Sequence, residues 1–187
     1  MQMFRQVMAL LILVGMTGTA TAQVTTETAA AAKELTTLLD GQAEGVAPRF
    51  MATYDPTEDD RYVAAMLLPG IQLVIVSAEY PVRVLFREHM LRGRYQEAYQ
   101  DLSSASEVET RLTIEDIRAD GLAPRPGKGQ TAADVVIRGE EDAFRFDGQW
   151  RRNRMREAEY MERFKETEAE YLRLMGLLIA QAKQPQP

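Results

Sequence analysis

Cysteine is absent from all 187 residues of the chain. That removes disulfides, thiol nucleophiles, thiolate zinc sites, iron–sulfur clusters and covalent haem attachment through C-x-x-C-H. The fold must therefore rest on its core and its polar contacts alone. Histidine is almost as scarce: His89 is the only one, and no second His or Cys exists to complete a zinc site around it. No metal site is expected. Basic charge is in deficit, with 22 Lys and Arg against 28 Asp and Glu, a net charge of −6. Such a balance offers no phosphate-neutralising footprint, so nucleic acid is not an expected partner. Long hydrophobic runs are missing as well. The apolar stretch Val7 to Met16 covers about half of the roughly twenty residues that a bilayer span needs.

What is present begins with that stretch. Met1 to Gln6 carries one positive charge, Arg5, and Thr17 to Ala22 is small and weakly polar, closing on Ala20-Thr21-Ala22. A charged start, an apolar middle and a small-x-small exit are the marks of a Sec-type secretory signal peptide. Cleavage is expected after Ala22, leaving residues 23–187 as one globular domain with a frayed tail at 184–187 and no stable membrane span. The periplasm is the expected location, with secretion as the alternative.

Along the mature chain, Ala31, Leu35, Leu38 and Leu39 share a helical face, which predicts a helix from about Thr28 to Asp40, stopped by Gly41. Phe50–Tyr54, Arg61–Leu68 and Ile71–Ala78 read as strands separated by Asp55-Pro56-Thr57-Glu58-Asp59-Asp60 and by Pro69-Gly70, an antiparallel meander. Pro81 opens a second short helix ending at Gly93. Residues 95–102 fit either helix or strand. Thr110–Ile117 alternates, with Leu112 and Ile114 facing one way and Thr113 and Glu115 the other. Ala119-Asp120-Gly121 bends the chain, and two short strands, Asp134–Arg138 and Ala143–Phe146, follow the loop 124–130. From about Met155 to Lys183 an apolar stripe (Tyr160, Met161, Phe164, Tyr171, Leu172, Met175, Leu178, Ile179 and Ala182) predicts one long amphipathic helix. The expected class is α+β: an antiparallel sheet or split barrel, packed by that helix, with two shorter helices.

Each chemical candidate has a plainer account beside it. His89 could be a general base or a ligand, but it lies beside the apolar stripe of its helix. Ser77, Ser103, Ser104 and Ser106 lack the G-x-S-x-G elbow of a hydrolase. The acids of the 55–60 turn lack EF-hand spacing and read as a solvated turn. Gly127-Lys128-Gly129 fails the P-loop pattern, because Gly129 stands where Ser or Thr is required. Arg151 and Arg152, with Arg154 and Arg156, could clamp a phosphate or carboxylate, yet Glu157, Glu159 and Glu162 follow at pairing distance. Glu168 falls about 20° from Met161 on the helical wheel, inside the expected apolar stripe. A carboxylate there needs a partner, a raised pKa or a path to water.

In its element order the chain resembles the FMN-binding split-barrel superfamily that includes the pyridoxamine-phosphate-oxidase-like proteins. The resemblance runs from Lys33 through Phe50–Tyr54, Arg61–Leu68, Ile71–Ala78 and Pro81–Arg92 to Thr110–Leu122, about half of the mature chain. It rests on pattern and not on a motif, so no flavin-contacting residue is carried over. It implies a flavin or haem binder, with reductase activity as one option; export counts against that, since a Sec-type route carries unfolded chains. The leading expectation is an exported, soluble cell-envelope protein with a non-catalytic binding or interaction role. Its partner would be an unknown protein or small ligand, and a homodimer is left open. No catalytic residue and no cofactor is predicted. FMN or haem would enter only under the alternative, and an envelope hydrolase using Glu168 or His89 stands third.

Overall fold

Ala64-Ala-Met-Leu-Leu68 and Leu73-Val-Ile-Val76 are unbroken apolar runs, the pattern of strands buried on both faces. They lie in the centre of a six-stranded sheet. The computed structural model describes residues 24–40, 49–58, 61–68, 72–79, 110–130, 132–139, 142–148 and 155–184. The strands are β1 (Arg49–Asp55), β2 (Arg61–Leu68), β3 (Gln72–Ala78), β4 (Thr110–Asp116), β5 (Val135–Arg138) and β6 (Asp142–Arg145). Every neighbouring pair is antiparallel, and the order in the sheet is the order in the chain. Helix α1 (Thr26–Asp40) precedes the sheet and helix α2 (Glu157–Ala182) follows it. The α+β class and the antiparallel sheet are thus as expected. The second short helix and residues 95–102 lie outside the described residues.

Register explains the two faces. Met51 pairs with Ala65, Ala65 with Ile75, Ile75 with Ile114, Ile114 with Val136, and Val136 with Phe144. This row crosses the whole sheet on one face. It packs against Ala32, Leu35 and Leu39 of α1 and Tyr160, Phe164, Tyr171, Leu174, Met175 and Leu178 of α2. Each fully buried aliphatic side chain contributes about 1.5–3 kcal/mol. Phe146 meets Tyr160 and Phe164 edge to face, at 6.0 and 5.0 Å between centroids. On the opposite face, Ala64, Met66, Leu68, Val74, Val76 and Ala78 form a second buried cluster.

Both helices sit close to their expected bounds. Helix α1 starts two residues before the expected Thr28, because the Thr25 carbonyl accepts both the Ala29 amide (3.0 Å) and the Thr28 hydroxyl (3.2 Å). Glu27 in its first turn also suits the positive helix end. In α2 the buried face is rotated from the expected stripe. Thr167 and Leu174 are buried while Met161, Leu172 and Ile179 are only partly so.

Candidate functional site

Strand β4 ends on Asp116, and the chain then turns through Ile117–Gly121. The turn needs two left-handed residues, Ala119 (φ 52°) and Gly121 (φ 100°). Gly121 is also pressed on α1: a Cβ there would stand 2.5 Å from the Ala29 nitrogen. Three of the turn's five amides, those of Ile117, Asp120 and Gly121, are taken by a side chain, and Ala119 N donates to the Asp116 backbone carbonyl. Asp116 Oδ1 accepts from Asp120 N (3.2 Å), and its Oδ2 accepts from Gly121 N and the Tyr171 hydroxyl, both at 2.9 Å. From the other side, just before β5, Asp134 accepts from Ile117 N (3.0 Å) with Oδ1 and from Ala123 N (2.9 Å) with Oδ2. Leu122 N donates to the Thr28 hydroxyl of α1 at 3.1 Å. Asp134 therefore holds the outer amides of the turn and Asp116 the inner ones, and the turn grips the start of α1.

Both acids are shut away from water, at 0% and 7% exposure. Burial pushes the Asp116 carboxyl up, against the bonds from Gly121 and Tyr171. Burial and repulsion from Asp116 push Asp134 up to about 7. The Tyr171 phenol is raised by burial and by the negative charge of Asp116. Tyr160 is lifted to about 12, chiefly by burial. Its hydroxyl donates to the Pro124 carbonyl (2.7 Å) and accepts from Gly148 N (3.1 Å), tying the 124–130 loop to α2. A small cleft beside the turn is lined by Val24, Arg118, Asp120, Arg125, Gln130 and Asp134, among others.

A second cluster lies where β1 ends. Asp55 is fully buried, which corrects the expectation that the whole 55–60 turn is solvated. The Thr57 amide (3.0 Å) and hydroxyl (2.7 Å) donate to its Oδ1, and Arg173 of α2 pairs with its Oδ2. Glu170 holds the same guanidinium by two bonds, at 3.0 and 2.9 Å. Burial alone would raise the Asp55 carboxyl, but the bonds from Arg173 and Thr57 outweigh it and hold it below the usual range. The Arg173 hydrogen bond lowers Glu170 in turn. Nearby, Arg111 pairs with Glu58.

The second sheet face carries a third polar group. Val74 pairs with Glu115, Glu115 with Val135, and Val135 with Arg145, so acid and base share one row two strands apart. Burial pushes Glu115 up to about 7, against the charge of Arg145 and a 3.1 Å bond from Gln72. Two pairs further along, Thr113 is 1% exposed, and its hydroxyl has no hydrogen-bond partner among the described residues.

Of the residues singled out from sequence, Glu168 is partly exposed on α2. It stands about 80° around the helix from Tyr160, on the flank of the buried face. It joins none of these three clusters. His89, Arg151 and Arg152 lie outside the described residues. Ser77 is buried, and its hydroxyl has no partner among the described residues. Among the described residues no group of His, Cys, Asp and Glu is arranged to hold a metal ion, and no helix is long and apolar enough to cross a membrane. Sequence reasoning missed the roles of Asp116, Asp134, Tyr171 and Arg173, and it took Asp55 only as part of a solvated acidic turn. The Ala-Asp-Gly bend was the one visible signal, and it marked the turn without its clasp.

Fold and clusters together define an α+β protein whose buried acids bind its own backbone. Comparison with known families, curated proteins and solved structures finds no match to this chain.

Proposed function

We propose that this is an exported, soluble protein of the cell envelope with a non-catalytic binding or interaction role. The observation that carries the reading is the commitment of its buried carboxylates. Both oxygens of Asp116, of Asp134 and of Asp55 accept hydrogen bonds that fix a turn or a helix. A general acid or base needs an oxygen aimed at substrate. These oxygens are aimed at amides, a phenol and a guanidinium. Perturbed carboxyls of this kind are as well explained by structure as by catalysis. The signal-like opening supports export to the periplasm or beyond, and the acidic charge supports a soluble body.

A flavin- or haem-binding split barrel is the second reading, favoured by the run of helix, antiparallel strands and helix. Native mass spectrometry of protein purified from its own compartment separates the two. The first reading expects a chain beginning at Gln23, with a protein or small-molecule partner and no chromophore. Bound FMN or haem mass with visible absorbance establishes the second. A cytosolic chain retaining Met1 overturns export.

A further inference from the structure

We propose that β1 is a docking edge for a second copy of this chain, the two β1 strands pairing antiparallel about Ala52 to join two sheets into one. The inference goes beyond the binding role proposed above and depends neither on export nor on any other partner.

Strand β1 is the outermost of the sheet, and among the described residues no strand lies on its outer side. Each of its seven residues pairs with β2, and the register never shifts. On a strand bonded along one side, alternate residues turn N–H and C=O outward. Sheet edges are usually blunted by shortness, proline, lysine or a bulge. The opposite edge, β6, is four residues long and ends on exposed Arg145. Strand β1 has no such device, and its middle, Phe50-Met-Ala-Thr-Tyr54, is uncharged. Met51, Ala52 and Thr53 are partly exposed, while Val63 to Leu68 of β2 are all buried.

What selects a second copy is the symmetry of the strand itself. Reversed about Ala52, the sequence Arg49-Phe-Met-Ala-Thr-Tyr-Asp55 sets Arg49 opposite Asp55, Phe50 opposite Tyr54, Met51 opposite Thr53 and Ala52 opposite itself. A strand of seven residues pairs in full with its own copy only about its middle residue. This register places unlike charges at both ends and an aromatic opposite an aromatic twice, both favourable cross-strand pairs. The chain carries a net charge of −6, so self-association needs such local complementarity. Tyr54 is 46% exposed, the one exposed large hydrophobic side chain among the described residues. An edge-on contact with Tyr62, 5.9 Å between centroids, steadies its ring. Tyrosines presented in this way are favoured anchors of protein interfaces.

The test uses the full chain, which has no cysteine of its own, so an introduced thiol reports only its own position. Sedimentation equilibrium of wild type from about 1 to about 200 μM should show monomer passing to dimer, as expected of a small interface. Under mild oxidation Ala52→Cys should form a disulfide dimer, because directly opposed residues stand about 4.5–5.5 Å apart, within disulfide reach. Tyr54→Cys is the control. In this register its two copies lie four residues apart, roughly 14 Å along the strand, and should link at least about tenfold more slowly despite their exposure. Ala52→Lys and Ala52→Glu should each weaken dimerisation about tenfold or more, and an equal mixture of the two should restore it. Wild type that stays monomeric throughout overturns the proposal, including a monomer that takes an extended segment of another protein on β1. So does Tyr54→Cys linking as fast as Ala52→Cys, which places the contact elsewhere. Should the charged variants not fold, the two thiol rates decide.

Discussion

Gly121→Ala tests the junction between sheet and helix most sharply. The new Cβ would lie 2.5 Å from Ala29 N, 2.7 Å from the Thr28 carbonyl carbon and 2.8 Å from Ala29 Cα. All three are backbone atoms inside a helix, so they cannot swing aside. The φ of 100° adds strain of its own, about 1–3 kcal/mol for a residue with a Cβ. Relief requires the turn to lift away, which stretches the Gly121–Asp116 and Leu122–Thr28 bonds. Those contribute about 1.5–3 and 0.5–1.5 kcal/mol respectively. The variant should therefore lose roughly 3–5 kcal/mol, since strain relieved by lifting is not counted with the bonds in full. Gly129→Ala is the matched control: its φ is 80°, but nothing stands within 4 Å of a Cβ there. Its cost should stay at about 1 kcal/mol. Urea denaturation of the three proteins gives both numbers. If Gly121→Ala falls within 1 kcal/mol of Gly129→Ala, the close contact between turn and helix is refuted.

Three further outcomes are expected. Arg173→Met leaves Asp55 buried without its cation and should cost about 3 kcal/mol at pH 7 by urea denaturation. Because the Asp55 carboxyl is lowered from 3.8, wild type should lose this stabilisation as the pH falls below that value, and Arg173→Met should lose less in acid; equal acid loss contradicts the pairing. Thr113→Val removes a buried hydroxyl with no partner among the described residues, so thermal unfolding should show an unchanged or higher midpoint; a clear drop would mean the hydroxyl is bonded. Glu115 is raised from 4.5 to about 7, so its stabilising proton is fully held below 4.5 and lost as the pH rises through 7. Glu115→Gln should weaken the stability decline over that window in urea titrations at stepped pH, and an unchanged decline would assign it elsewhere.

The elements that follow from local pattern were legible in the sequence. Arg61–Leu68 matches β2 to the residue, and the split of Leu112 and Ile114 from Thr113 and Glu115 holds across β4. Period two and turn punctuation act within a few residues, so one sequence carries them. The stripe of α2 was legible only roughly. Thr167 and the polar ends of Tyr160 and Tyr171 obscure its centre, and Met161 and Leu172 draw it toward Glu168. Partnerships across the fold left no local trace. Tyr171 finds Asp116 across 55 positions and Arg173 finds Asp55 across 118. Both acids sit in stretches that read as ordinary strand ends and turns. Their burial depends on α2 lying over the ends of β1 and β4, which is a tertiary fact.

Carbon-detected NMR titration of the aspartate side-chain carboxyls tests most directly whether these acids serve the fold. Asp134 should titrate near 7 and Asp116 above its usual 3.8, each responding to the other, with Asp55 below 3.8. Independent titration of all three near 3.8 would contradict the account, because it would place them in water and leave the turn and both helices without their anchors.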